Sequence, residues 1–223
     1  ASGLFAIDEL PPGSDVADLA VVADAVTTPL QAVRRAAVAD GDLVVVIGTG
    51  GVGTYAVQVA AASGGQVIAV DIDDARLEPM TTHGAVATVN STGLETREVR
   101  DRVRDHARSL GSEGTGWKIF ECSGTPTGQE TAYGLLGPAA TLAVVGFTRE
   151  KISLRLSNLM AFDASAFGSW GCPPELYPEA IALVASGAVQ LAPFTRKIPM
   201  TELASLLAAA PAHRDPRRPI FVP

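Results

Sequence analysis

Residues 43–71 read LVVVIGTGGVGTYAVQVAAASGGQVIAVD. Leu43 to Ile47 is an unbroken apolar run rich in β-branched residues, the pattern of a strand buried on both faces. It enters Gly48-Thr49-Gly50-Gly51-Val52-Gly53, after which Val52, Ala56, Val59 and Ala60 fall at helical spacing. Gly64-Gly65 ends that helix, and a second apolar run, Val67 to Val70, closes on Asp71. The result is a strand–turn–helix–strand unit carrying G-x-G-x-x-G at its first turn. Gly48 permits the tight turn, Gly50 lets a pyrophosphate approach the backbone, and Gly53 lets helix and strand pack closely. Gly51 and Val52 supply N–H groups at the positive end of the helix, where an anion is stabilised. Asp71 stands where a carboxylate accepts hydrogen bonds from an adenosine ribose. The expected ligand is NAD, held along residues 48–53 and Asp71. A parallel α/β unit with a merely tight turn is the bland alternative.

The rest of the chain limits the classes of function. Its net charge of −7, from 17 Lys and Arg against 24 Asp and Glu, argues against nucleic acid or an anionic membrane surface as partner. No single apolar run in the sequence reaches spanning length, so no membrane is expected. Cys122 and Cys172 stand far apart without metal-ligand spacing, which suits a reduced, cytoplasmic protein. Each reads as a small buried hydrophobe. His83, His106 and His213 are scattered among polar residues and read as surface positions.

Outward from the central unit, Val21 to Val38 reads as a helix interrupted near Thr27-Thr28-Pro29. Asp73-Asp74 can cap a short helix. Ala85 to Val89 is a short strand, and Glu95 to Leu110 an amphipathic helix with Val99, Val103, Ala107 and Leu110 on one stripe. Lys118 to Cys122 and Ala140 to Phe147 read as strands with a helix, Gln129 to Leu136, between them. Ala164 to Trp170 is a further strand, and Arg218 to Val222 the last. Strands alternating with helices indicate an α/β Rossmann fold, a doubly wound parallel sheet. The expected division is residues 1–20 as a linker, 21–190 as the NAD-binding domain and 191–223 as a returning C-terminal segment.

Several stretches together carry a family resemblance: Val26-Thr27-Thr28 with its helix, VVVIGTGGVG, VIAVDIDDARLE, ECSGT, TLAVVGF, LVASGAV and the terminal RRPIFVP. Their order over roughly residues 20–223 resembles the medium-chain alcohol dehydrogenases, the zinc-type branch. The resemblance implies an NAD-dependent oxidoreductase acting on a secondary alcohol. The stretches LRLSNLMAFDASAFGSWGCPPELYPEAI and KIFECSGT imply, within that family, an acyl-CoA alcohol as the small-molecule substrate. It also implies that a GroES-like catalytic domain is otherwise absent from this chain, with the terminal segments belonging to it. Homo-oligomers are expected through the edge strand at 164–170. Another zinc-type alcohol or polyol dehydrogenase is the alternative within the family, and an NAD-binding module without catalysis the competing class, since fold alone does not decide activity.

The same resemblance assigns roles. Arg218 matches an arginine reaching the cofactor pyrophosphate, or is a surface cation near a chain end. Thr27 matches a catalytic-site residue packed on the nicotinamide, or is a helix cap. Val145 and Gly146 match backbone groups that bind the carboxamide, and Ser169 and Trp170 the opposite wall. Zinc is implied for the intact enzyme, and in the family a cysteine ligand stands four residues before the threonine. Counting from Thr27 gives Ala23, which cannot ligate. Its neighbour Asp24 is either an oxygen ligand or a helix cap.

Overall fold

The computed structural model describes residues 4–7, 10, 14–209 and 215–223. The run Leu43–Ile47 is buried throughout because it lies in the middle of a sheet covered on both sides. Strand alternation then sorts its side chains. Val44 and Val46 join Val67, Ala69, Phe120 and Ala143 in one core, beneath Leu30, Val33, Tyr55 and Val59. Leu43, Val45 and Ile47 join Ile68, Val70, Ile119 and Leu142 in the other, against Val99, Val103, Ala132 and Leu136. Each fully buried aliphatic side chain contributes roughly 1.5–3 kcal/mol relative to exposure, so an uninterrupted apolar strand is what a two-sided sheet selects.

In chain order the elements are α1 (Thr27–Arg35), β1 (Leu43–Ile47), α2 (Gly53–Ala62), β2 (Gln66–Asp71), α3 (Asp74–Leu77), β3 (Ala85–Asn90), α4 (Thr96–Ser109), β4 (Lys118–Glu121), α5 (Pro126–Gly134), β5 (Thr141–Val144), α6 (Ser157–Ala161), β6 (Ser165–Gly168), α7 (Tyr177–Ala185), β7 (Thr195–Pro199), α8 (Leu203–Ala209) and β8 (Arg218–Val222). The main sheet is six-stranded, in the order β3-β2-β1-β4-β5-β6. All its pairs are parallel, with Ile47 opposite Val70 on one side and Glu121 on the other. This is the doubly wound Rossmann arrangement, and the order reverses between β1 and β4. A separate pair, β7 with β8, is also parallel. Thr195 and Lys197 anchor it to Asp18, whose carboxylate accepts the Thr195 hydroxyl at 2.7 Å and the lysine at 3.4 Å.

Local chemistry explains the boundaries. Asp73 caps α3 by accepting the Ala75 N–H at 2.9 Å. Glu95 and Glu98 close a reciprocal capping box on α4. Three expectations need correction. The interruption expected at Thr27-Thr28-Pro29 is absent: a 3-10 turn over Val16–Val21 and a π-helical turn over Val22–Val26 run straight into α1. Pro29 falls at the third position of α1, directly after the π-helical turn. The continuous run Val16–Arg35 is therefore long and apolar enough to cross a membrane by length and composition, yet most of it is buried against the sheet and α7. The helix expected from Gln129 begins instead at Pro126, capped by the Thr125 hydroxyl on the Gly128 N–H. His83 is not a free surface residue, since its ring packs edge-on against Phe194 with centroids 4.8 Å apart. His213 lies outside the described residues.

Candidate cofactor site

At the carboxyl end of β1 the chain makes the turn that the glycines require. Gly48 has φ +84°, and a Cβ there would sit 2.6 Å from the Ser123 backbone. A Cβ on Gly53 would overlap the Gly48 carbonyl oxygen and lie 3.2 Å from the Cys122 side chain. Gly50 and Gly51 differ, because a Cβ at either would make only ordinary van der Waals contact. Nothing comes nearer a Cβ at Gly50 than the Arg76 guanidinium at 3.7 Å, or at Gly51 than the Arg218 guanidinium at 3.6 Å. Two glycines thus serve packing, and two face the cleft beneath two cations.

The cleft holds about 370 Å³ and brings Gly48, Gly50, Gly51, Asp71, Arg76 and Ser123 to one wall. Asp71 ends β2 and is buried. Its Oδ2 accepts the Thr49 N–H at 2.7 Å and the Thr49 hydroxyl at 3.1 Å, and its Oδ1 accepts the Ile72 and Asp73 N–H groups at 2.8 and 3.1 Å. The carboxylate therefore braces the glycine turn as well as closing the strand. With about four acceptor directions on a carboxylate, a ribose hydroxyl arriving here competes with the Thr49 hydroxyl. The donors, the helix start and the cationic cover fit a dinucleotide.

The other expected site residues do not line this cleft. Val52 stands just before α2, beside the turn. Val145 and Gly146 follow β5, and their N–H groups both bond to the Glu121 carbonyl at 2.9 Å. Ser169, buried after β6, accepts a bond from Gln31 at 3.4 Å, whereas Trp170 is 86% exposed. Thr27 is fully buried, and its hydroxyl has no protein partner. The pair one turn apart in this helix is Asp24 with Thr28, whose hydroxyl donates to Oδ1 at 3.1 Å. The other Asp24 oxygen accepts from Arg218 at 3.4 Å. Among the described residues no three His, Cys, Asp or Glu side chains gather. Asp24, engaged with a hydroxyl and a guanidinium, does not by itself fit a metal ion.

Burial pushes the Cys122 thiol pKa up, with the neighbouring Glu121 adding to the shift, so this cysteine is no nucleophile at neutral pH. Three contributors went unread in the sequence. Thr49 braces Asp71. Arg76 lies over Gly50. Glu121 is fully buried at the end of β4. A lone acid closing the apolar strand KIFE was its visible signal.

The family model described as zinc-binding dehydrogenase matches residues 51–186. The chain belongs to the zinc-binding dehydrogenase family. D-xylulose reductase A of Aspergillus oryzae is 30% identical over 174 residues, 77% of this chain and 48% of that protein. Galactitol 1-phosphate 5-dehydrogenase of Escherichia coli K12 is 28% identical over 165 residues, 72% of this chain and 45% of that protein. This zinc-binding dehydrogenase chain thus spans about half the length of the curated relatives it matches. A protein from Sinorhizobium meliloti 1021, described as a zinc-binding dehydrogenase and solved with NADP, superposes with a TM-score of 0.84 at 21% identity, over 96% of this chain and 61% of its own. At that identity the likeness shows the fold.

Proposed function

We propose that this chain is the cofactor-binding part of an NAD-dependent dehydrogenase that oxidises a secondary alcohol, with a polyol as the favoured substrate class. The observation that carries the reading is the buried Asp71 carboxylate locked to Thr49, inside the same cleft as Gly50 and Gly51. Bound there, NAD would accept the hydride that leaves the alcohol carbon. The chain's own part is to hold and aim it. Asp71 would take the adenosine ribose, the turn N–H groups and Arg218 the pyrophosphate, and the ends of β5 and β6 the second nucleotide. Of the two threonines, both buried, Thr27 keeps a hydroxyl without a protein partner, while the Thr28 hydroxyl donates to Asp24. The polyol reading rests on relatives named for D-xylulose and galactitol 1-phosphate.

A finer reading has 6-hydroxycyclohex-1-ene-1-carbonyl-CoA oxidised to its ketone in anaerobic benzoyl-CoA degradation. The stretches at 154–181 and 118–125 support it by resemblance alone. In either case residues 1–20 and 191–223 belong with a further domain that carries the remaining chemistry, zinc included. A cytoplasmic homo-oligomer paired along β6 completes the proposal, since an uncovered edge strand seeks a partner. Titrating NAD and NADP against the chain tests the core of it. NAD should bind more tightly, because Asp71 repels a 2′-phosphate, and tighter NADP binding would overturn the assignment. Residues 1–223 alone should turn over neither polyols nor the acyl-CoA alcohol. Turnover by them would show that the reacting centre lies within this chain.

A further inference from the structure

Glu121 is the last residue of β4, beside Ile47 of β1 and Val144 of β5, where the strand order reverses. Its side chain is fully buried. Oε1 accepts three bonds: the Ser123 N–H at 2.8 Å, the Ser123 hydroxyl at 2.5 Å and the Gly124 N–H at 3.0 Å. Its carbonyl oxygen accepts two more, from the Val145 and Gly146 N–H groups. One residue thereby ties together the loop after β4 and the loop after β5.

The two loops interlock with no spare room. A Cβ on Gly124 would sit 2.8 Å from the Phe147 carbonyl oxygen, and one on Gly146 would sit 2.7 Å from Glu121 Oε2. The loop after β4 also touches the phosphate turn, since Ser123 closes over Gly48. Oε2 itself has no hydrogen-bond partner. A buried acceptor left without a donor costs stability that an apolar residue at the same strand end would not lose. A sequence breaks a local rule in this way where position matters more than stability.

A dinucleotide crosses a doubly wound sheet at the switch point, one nucleotide over each half. With adenosine at Asp71, the second nucleotide lies over the ends of β4 and β5. We propose that Glu121 is the positioning residue for the nicotinamide half of the site, acting through the two loops it holds. The inference rests on the reading of the cleft as an NAD site.

ADP-ribose carries everything in NAD except the nicotinamide, so the pair of ligands separates positioning from general stability. Both are titrated against the full chain and its variants. Glu121→Leu should weaken NAD about tenfold, or about 1.4 kcal/mol, and leave ADP-ribose within about twofold. Glu121→Gln keeps an oxygen for the three donors and should restore both affinities to within about threefold of wild type. Ser123→Ala removes one of those donors with little risk to folding, and should weaken NAD alone by about threefold. Should Glu121→Leu fail to fold, Glu121→Gln and Ser123→Ala decide the matter on the same ratio. Equal losses for NAD and ADP-ribose, or an unchanged ratio in both Glu121→Leu and Ser123→Ala, overturn the positioning role while leaving the cofactor reading intact. A wild-type chain that binds neither ligand removes the cofactor reading and this inference with it.

Discussion

Adding a single methyl to Gly48, Gly50 or Gly53 should give three different outcomes. Gly53→Ala places a Cβ on the Gly48 carbonyl oxygen, 2.8 Å from the Gly48 carbonyl carbon and 3.2 Å from the Cys122 Cβ. The nearest obstacles are backbone and cannot swing aside, so the helix must back away from the strand. Overpacking of this kind costs about 1–3 kcal/mol, and the upper end applies here. For a domain of this size about 3 kcal/mol lowers Tm by roughly 6–12 °C. Gly48→Ala should be worse, because a φ of +84° adds about 1–2 kcal/mol of backbone strain to a 2.6 Å contact with Ser123. Gly50→Ala should behave in the opposite way. Its φ is outside the left-handed region and its nearest neighbour is 3.7 Å away, so the methyl fits. Such a change stabilises by about 0.4–1 kcal/mol through the unfolded chain, a Tm rise of roughly 1–4 °C. The same methyl fills the place where a pyrophosphate would approach, and NAD binding should fall at least about tenfold. Urea or thermal unfolding alongside NAD titration reads both quantities. A Gly50→Ala chain that binds NAD like wild type, or a Gly53→Ala chain of wild-type stability, would falsify this division of labour.

Asp71→Ser should narrow the preference for NAD over NADP by removing the charge that repels a 2′-phosphate. It should also cost about 1–3 kcal/mol, because the Thr49 N–H loses a buried acceptor; paired cofactor titrations and unfolding curves measure the two effects. Arg218→Ala should weaken NAD about tenfold, the worth of a charge-assisted bond to phosphate, and calorimetry showing no change would return Arg218 to the surface. Asp24→Ala should change stability by less than about 1 kcal/mol, since its pairing with Arg218 is exposed. Metal analysis of the intact enzyme with that substitution settles its other role: released metal makes Asp24 a ligand, and unchanged content removes it. Asp215 accepts hydrogen bonds from Arg217 and pairs with Arg196 at 3.3 Å, which lowers its pKa to about 2 from the ordinary 3.8. A folded pKa below the unfolded one means that its contribution is complete above about pH 4 and disappears as the pH falls through 2. The stability gap between wild type and Asp215→Asn, followed by urea unfolding, should close over that window.

Much of this molecule is legible in residues 43–71 alone. An apolar run must be buried on both faces, a glycine turn must bend where side chains cannot, and an acid must end the next strand. Those demands are local, and β1, the turn, α2 and β2 answer them with boundaries within a residue of those expected. What the sequence could not decide depends on contacts between distant segments. The break expected at Thr27-Thr28-Pro29 does not occur, because packing of Val16–Arg35 against the sheet and α7 outweighs the local preference of two threonines and a proline. Arg218 reaches Gly51 only because β8 pairs with β7 and brings the end of the chain back to the turn. Glu121 is one acid among 24 Asp and Glu residues in the sequence. Its meaning comes from three parallel strands ending side by side, which sets two separate loops against a single carboxylate where water cannot reach.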